Sequence, residues 1–324
     1  MMRPGAAGGR LSSVIGETFG VRQSVWGSAA GNKAGIAVVV AAVLLCAARP
    51  AAANGHGPVF GLSTPTNNEG GWSLDTSFMG SGTGASNASM FRSMLAYGVT
   101  PDLQLSLSAP ALMTTPAGMP FARGTAMMPT DGDYEGLVAY RFQRSDFAPG
   151  ARYESTAYFG LELPGPQQAF RLPAAKSSSL IEPRLNWVPG FYGALASGLA
   201  SRSDYFWYGA GFQYFAPNGG DQRPWLLFYS LVYGYRPEFL RWDYPSWDGR
   251  FFLELTGERF NQLQLNGVGL PGTGGSDLFF GPSTLWLYKN YGIETGIQFP
   301  LYENVGFRYG RTLYRWVIDA SYFF

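Results

Sequence analysis

Apolar and polar residues alternate one by one along much of this chain, which is the period of a β-strand with two different faces. In 102–109, three leucines point one way while Gln104, Ser106 and Ser108 point the other. The same alternation recurs in 72–79, 91–99, 134–142, 153–163, 251–258, 291–301 and 312–324. Segments 191–200, 206–215 and 225–235 carry aromatic residues on one face and small or apolar residues on the other, and 278–288 is ambiguous on both faces. Together these segments predict twelve strands of about nine to eleven residues, the length that crosses a membrane.

The apolar faces of these strands are rich in aromatic rings, whereas the opposite faces carry acids and arginines. In the last segment, Tyr314, Trp316 and Tyr322 share one face, while Arg315 and Asp319 lie on the other. A soluble β-sandwich or lipocalin-like barrel is polar outside and apolar inside. The polarity found here favours lipid outside and a polar lumen within. We therefore predict an all-β fold, a transmembrane antiparallel up-and-down β-barrel of twelve strands.

Short and long connections between these strands alternate along the chain. The short ones are expected at 100–101, 143–152, 201–204 and 289–290. The long ones, rich in Gly and Pro, are expected at 80–89, 110–132, 164–190, 216–223, 261–276 and 302–311. This alternation is typical of short periplasmic turns and longer outer loops, with both chain termini on the periplasmic side. The exception is 236–250, a long connection on the side of the short turns.

The front of the chain has the three parts of a secretory signal peptide. A positive residue, Lys33, precedes an apolar run over 36–48, and three alanines follow. The run is shorter than the roughly 20 apolar residues that a membrane helix needs. We predict a leader and signal peptide over 1–53, a periplasmic N-terminal segment over 54–71, and a barrel in the bacterial outer membrane over 72–324.

Composition agrees with a barrel and limits the partners. Aromatic residues make up 16% of the chain and charged residues only 14%, a balance that suits aromatic girdles around a polar lumen. The formal net charge is +1, and no clustered basic face favours nucleic acid. Cys46, the only cysteine, lies in the predicted leader, so the exported part has no thiol chemistry. The partners we predict are outer-membrane lipid, the barrel-assembly machinery reached through the C-terminal strand, and a small-molecule solute.

The predicted inner face carries more acids than arginines. The candidate pore-lining residues are Asp75, Arg92, Glu135, Arg141, Glu154, Glu162, Glu254, Glu258, Glu294, Gln298, Arg315 and Asp319. One interpretation is a pore wall that prefers cations, because rings of carboxylates raise the local cation concentration. The other is a structural charge network that holds the wall and occludes the lumen. Glu254 and Glu258 share one strand face and are expected to form a single carboxylate field, with Arg315 as a candidate partner.

Catalysis and metal binding have little support in the sequence. His56 is the only histidine and precedes the first strand, whereas barrel hydrolases generally need a base poised near neutral pH. Four methionines in the segment 110–132 could bind Cu(I), but they are more often apolar packing or contact surface; they are Met113, Met119, Met127 and Met128. The same segment could fold inward as a constriction. We predict no catalytic residue, no metal and no cofactor.

Several stretches resemble a family of bacterial outer-membrane proteins named for the meta pathway of phenol degradation. They are His56-Gly57-Pro58 through Gly71-Trp72-Ser73-Leu74, Tyr233-Gly234-Tyr235-Arg236-Pro237, Trp247-Asp248-Gly249-Arg250-Phe251-Phe252, Gly281-Pro282-Ser283-Thr284-Leu285-Trp286, Gln298-Phe299-Pro300-Leu301 and Ser321-Tyr322-Phe323-Phe324. These motifs are structural and cover most of the chain after the leader. The resemblance implies an outer-membrane channel or transporter, linked to aromatic catabolism through the family name, and it carries over no substrate-binding residues.

The function we predict is an outer-membrane channel or transporter for a small solute of aromatic or hydrophobic character. The competing interpretation is a non-conducting structural or interaction barrel whose lumen is blocked by its own charges. A membrane-embedded enzyme is the third class, which the missing histidine in the strands and loops disfavours.

Overall fold

The structure is a computed structural model that describes residues 57–82, 87–114, 134–163, 189–242, 245–307 and 311–324. The predicted leader, His56 and the side chains of the four clustered methionines lie outside this description. Predictions that concern them stay predictions.

In this part of the chain, fourteen β-strands and one short 3-10 turn form. The strands are β1 (Trp72–Gly82), β2 (Asn87–Thr100), β3 (Leu103–Thr114), β4 (Tyr134–Ala148), β5 (Ala151–Leu163), β6 (Gly190–Ala200), β7 (Asp204–Phe215), β8 (Leu226–Tyr235), β9 (Asp248–Phe260), β10 (Gln264–Leu265), β11 (Val268–Gly269), β12 (Gly275–Tyr288), β13 (Tyr291–Val305) and β14 (Tyr314–Phe323). β10 and β11 form a separate small hairpin, and the other twelve strands close into one antiparallel barrel. The predicted fold class is confirmed. Over the described ranges, no helix is long and apolar enough to span a membrane.

The barrel closes by pairing its first strand with its last. The register runs from Ser73 opposite Phe323 to Gly82 opposite Tyr314. Beyond the last pair, the backbone N–H of Trp72 donates to the Phe324 carbonyl at 2.9 Å, and the Phe324 N–H donates back at 3.0 Å. Closure leaves no sheet edge, which is the condition for a β-sheet to reside in lipid.

The two faces of the wall differ as the alternation predicts. On β3, Leu107 is 61% exposed, while Ser106 and Ser108 are buried against the interior. Exposed Phe, Tyr, Leu and Ile side chains cover the outside of most other strands in the same way. The outward face is therefore apolar and the inward face is largely polar, which is the polarity of a barrel in lipid.

The connections give the barrel two unlike ends, which we call the turn end and the loop end. Connections 101–102, 149–150, 201–203, 236–247 and 289–290 lie at the turn end, where β1 also begins and β14 ends. At the loop end lie the strand ends that flank 83–86, 115–133, 164–189, 216–225, 261–274 and 306–313. The predicted alternation of short and long connections is confirmed, and so is its exception at the turn end.

The inward face is apolar near the turn end. A buried group that we call the turn-end cluster consists of Tyr205, Trp207, Val232, Phe252, Leu285, Leu287 and Phe323. The rings of Tyr205 and Trp207 stack with centroids 5.2 Å apart. Five strands contribute to this cluster, and three of them, β7, β8 and β12, are among the segments whose alternation was unclear. Their apolar inward residues fill part of the lumen.

Candidate functional site

The first described residues of the chain lie inside the barrel. Residues 57–67, which we call the lumen segment, precede β1 and contact inward side chains of the wall. The sequence placed 54–71 on the periplasmic side, and the described part of that segment differs by running from the turn end into the middle of the lumen. The physical reason is that its backbone N–H groups have no strand partner and find acceptors on the polar wall.

One carboxylate holds the tip of the lumen segment. The backbone N–H groups of Val59, Phe60 and Gly61 donate to the Glu254 carboxylate, with N–O distances of 3.2, 2.9 and 2.8 Å. Ser283 donates to the same carboxylate, which is completely buried. Hydrogen bonds to an ionised acceptor are roughly twice as strong as neutral ones. Glu254 is therefore an attachment point for this segment.

Neutral hydrogen bonds hold the part of the segment between this point and the turn end. The Leu62 N–H donates to Ser230 Oγ at 2.9 Å. Nearer the turn end, the Asn67 N–H donates to Gln104 Oε1 at 2.8 Å. Each such bond contributes about 1 kcal/mol net, so the attachment is a sum of modest contacts rather than a covalent closure.

Glycines allow the segment to approach the wall closely. A Cβ on Gly61 would lie 2.5 Å from a methyl carbon of Val232. On the wall itself, a Cβ on Gly296 would lie 2.5 Å from the ring of Phe60. Both distances are too short for any side chain, so the position of the lumen segment depends on glycine on both surfaces.

A cavity of about 350 Å³ lies beside the lumen segment, inside the barrel. Residues 58–63 form its floor, and inward side chains of the barrel form its walls. Glu135 and Glu162 line it and lie one residue from the loop-end limits of their strands. On another wall, Asp75 and Glu294 line it three residues from the turn-end limits of β1 and β13. The cavity therefore extends past the lumen segment from the loop half towards the turn half.

Carboxylates dominate one wall of the cavity. Asp75, Glu294 and Asp319 lie on β1, β13 and β14, which are neighbours in the barrel. The strand register sets Asp319 directly opposite Ser77 on one side and Glu294 on the other. Ser77 donates a hydrogen bond to Asp319. Side chains directly opposite across strands lie about 5 Å apart at Cβ, so acidic groups are concentrated on this wall.

Aromatic rings form the facing part of the cavity. Tyr192 and Phe228 stack with centroids 5.3 Å apart, and Tyr158 donates its hydroxyl to the Ser63 carbonyl of the lumen segment. All three rings line the cavity. None of the three is among the residues predicted from the sequence, although Tyr158 has the same strand parity as the predicted inward residue Glu154. Their selection required knowing that the lumen has an apolar side.

The three predicted arginines each contact a carboxylate. Arg92 binds Glu135, and Arg315 Nη1 lies 3.1 Å from Glu258 Oε1. Near the turn end, Arg141 Nη1 lies 3.1 Å from Glu154 Oε1. Within each pair the two charges neutralise one another, so the pairs hold the wall together without adding positive charge to the cavity. Each of the three arginines is thus paired with a carboxylate within the wall.

Most of the candidate residues share one site. Among the described residues, the cavity is lined by Asp75, Arg92, Glu135, Glu162, Glu258, Glu294, Arg315 and Asp319. The other four lie elsewhere: Glu254 holds the lumen segment, Arg141 and Glu154 pair near the turn end, and Gln298 accepts a hydrogen bond from Arg315 Nε at 2.9 Å. Glu254 and Glu258 therefore do not form the single carboxylate field expected from the sequence, because Glu254 binds the lumen segment and Glu258 pairs with Arg315. Within the described ranges, no three acidic, histidine or cysteine side chains are placed to hold a metal ion.

Comparisons with known proteins identify the fold. No protein family and no curated protein matches this sequence, and the resemblance to the phenol-degradation family stays a prediction. Among solved structures, the chain is similar to an outer membrane channel from Pseudomonas putida F1, with 11% identity and a TM-score of 0.57 over 81% of this chain and 98% of that one. It also matches the NanC porin, with 10% identity and a TM-score of 0.43 over 77% of this chain and 98% of that one. The protein thus has the twelve-stranded barrel fold that the first of these structures represents.

Proposed function

We propose that this protein is an outer-membrane channel or transporter for a small solute. The observation that carries the proposal is the floor of the cavity. It is formed by residues 58–63, which hydrogen bonds hold in place, and not by the covalent wall. Displacing this segment would widen the passage between the loop half and the turn half. The barrel fold and its apolar outer face support an outer-membrane location, reached through the signal peptide predicted over 1–53.

The cavity walls indicate the class of solute. A volume of about 350 Å³ lies at the lower end of the range for small-molecule sites. The rings of Tyr158, Tyr192 and Phe228 offer apolar contact, and the carboxylate wall raises the local concentration of cations. We propose a small solute with an apolar or aromatic part, and a preference for cations over anions. A role in aromatic catabolism agrees with this chemistry and with the resemblance described above.

A second candidate function is a non-conducting barrel. The observation that favours it is the content of the turn half, where the turn-end cluster and the pair Arg141–Glu154 accompany the lumen segment. Such a barrel would act through its surface, and the lumen contacts would serve stability alone. Conductance with the segment free and with the segment fixed separates the two candidates.

The decisive experiment fixes the segment to the wall with a disulfide. Leu62→Cys with Ser230→Cys, in a Cys46→Ser background, joins neighbouring positions, since the Leu62 backbone N lies 2.9 Å from Ser230 Oγ. A disulfide requires Cβ atoms about 4 Å apart, so mass spectrometry of the oxidised protein checks that the bond has formed. Under oxidising conditions we expect open events in a planar bilayer to become at least tenfold rarer, and a reductant to restore them.

The matched control joins two neighbouring wall positions. Ser155→Cys with Ser197→Cys links β5 and β6, whose Oγ atoms are 2.9 Å apart on the face away from the lumen. This disulfide should leave conductance unchanged. Equal conductance of the oxidised Leu62–Ser230 variant and the unmodified protein would contradict passage past the segment. If no variant conducts, including variants in which the attachment of the lumen segment to the wall is weakened, the non-conducting barrel is favoured.

A further inference from the structure

One connection at the turn end presents large apolar side chains. Residues 236–247 join β8 to β9 and include the 3-10 turn Glu238–Leu240. Phe239 is 73% exposed, Trp242 is 59% exposed and Trp247 is 53% exposed. Exposed apolar groups of this size on a folded segment generally mark a surface that contacts something other than water.

The connection is held in a defined position. Arg236 Nε lies 2.6 Å from Asp248 Oδ1, and the Arg236 backbone N–H donates to the Ser203 carbonyl at 2.7 Å. The indole N–H of Trp242 donates to the Phe239 carbonyl at 3.1 Å. These bonds fix the backbone on which the apolar side chains are exposed, so their exposure is a property of the folded loop.

The connection lies against the outside of the barrel and not beneath its mouth. A Cβ on Gly249 would point outward and meet Leu240 at 3.0 Å and the ring of Trp286 at 2.9 Å. Trp286 faces outward, since its neighbours on β12 are buried in the lumen. Trp247 stacks on Tyr288, also on the outward face, with centroids 4.8 Å apart. The exposed side chains therefore continue the outer, apolar surface of the barrel wall.

We propose that residues 236–242 form an interfacial anchor, with Phe239 and Trp242 seated in the headgroup region of the lipid leaflet at the turn end. Indole and phenyl rings are favoured at that depth, where an apolar ring and a polar edge are both accommodated. Continuity with the lipid-facing wall favours lipid over a protein partner as the occupant. The proposal requires that the barrel reside in a membrane, but it does not require that the barrel conduct.

Spin labels measure the surroundings of this connection directly. Phe239→Cys or Trp242→Cys, each in a Cys46→Ser background, is labelled and placed in phosphatidylethanolamine–phosphatidylglycerol vesicles. The matched control is Arg202→Cys, an exposed position in the 201–203 turn at the same end. We expect the labels at 239 and 242 to collide more often with oxygen, and at least threefold less often with a water-soluble nickel chelate, than the label at 202.

Two results would overturn the anchor. Nickel accessibility at 239 and 242 equal to that at 202 would place the connection in water. Low accessibility to both oxygen and nickel would instead indicate burial against a second copy or another protein. The unlabelled variant Trp242→Phe gives an independent readout. Lipids brominated near the headgroup quench tryptophan fluorescence at that depth, so removing the Trp242 indole should reduce the quenchable part of the emission. No change in that quenchable emission would also contradict the proposal, and heat-modifiable migration shows that each variant is folded.

Discussion

The loop half and the turn half of the lumen are enclosed by the same strands, yet they are filled in opposite ways. A cavity of about 350 Å³ extends through the loop half, with rings on one wall and, towards the turn end, carboxylates on another. The turn half contains the turn-end cluster and the entry of the lumen segment. Strand number sets the width of a barrel, whereas the inward side chains and the chain that precedes β1 decide how much of that width is open.

The largest difference between the halves should be in stability. Trp207 belongs to the turn-end cluster, is almost completely buried and stacks on Tyr205. We expect Trp207→Ala to lower the free energy of unfolding by about 3–5 kcal/mol, the usual cost of removing a packed aromatic ring. Urea unfolding in lipid vesicles, followed by gel mobility, measures the change.

The matched variant for this test is Trp207→Phe. In the described part of the chain the indole N–H of Trp207 has no acceptor, so phenylalanine removes no hydrogen bond and most of the ring contact is kept. It should cost less than about 1.5 kcal/mol. A loss below about 1 kcal/mol for Trp207→Ala would show that the turn half is not tightly packed.

The next effect concerns the boundary between the halves. Glu254→Gln removes the charge that three backbone N–H groups of the lumen segment contact. The free energy that holds the segment on the wall should fall by about 2 kcal/mol, which raises the population with the segment released roughly 30-fold. Single-channel recording should show this as more frequent open events.

Glu258→Gln is the appropriate comparison, since Glu258 lies on the same strand face but contacts Arg315 and not the segment. It should leave the frequency of opening near that of the unmodified protein. Equal increases in the two variants would mean that general loosening of β9, and not release of the segment, opens the barrel.

The smallest expected effect concerns the acidic wall of the cavity. Glu294→Gln combined with Asp319→Asn removes two opposed carboxylates from the cavity wall. Screened interactions at this range are worth about 0.5–1 kcal/mol, so the potassium-to-chloride permeability ratio should fall roughly two- to fivefold. Reversal potentials in a salt gradient give the ratio.

Exchanging the two acids, as Glu294→Asp with Asp319→Glu, keeps both charges and should keep the ratio. Anion preference in the unmodified protein would contradict the proposed cation selectivity, whatever the behaviour of the variants.

The order of residues along the chain is enough to predict the two faces of the barrel wall. A strand has a side-chain period of two, so the order of residues in 102–109 or 312–324 fixes which side chains share a face, without knowledge of any neighbour. The contrast between aromatic and charged faces then fixes which face meets lipid, and the alternation of connection lengths fixes which strand ends lie together. For the same reason Glu294 and Asp319 could be assigned to the inner face from the sequence.

The contents of the lumen can be known only from the folded structure. Val59 and Glu254 are separated by 195 positions, and no period in 57–67 indicates that its N–H groups meet a carboxylate inside the barrel. Likewise, the register between β13 and β14 decides that Glu294 faces Asp319, and the position of Leu240 beside the outward face of Gly249 decides that residues 236–242 lie outside the barrel. Local alternation specifies the direction of each side chain, but the partner it meets depends on register, closure and loop path, which are properties of the whole chain.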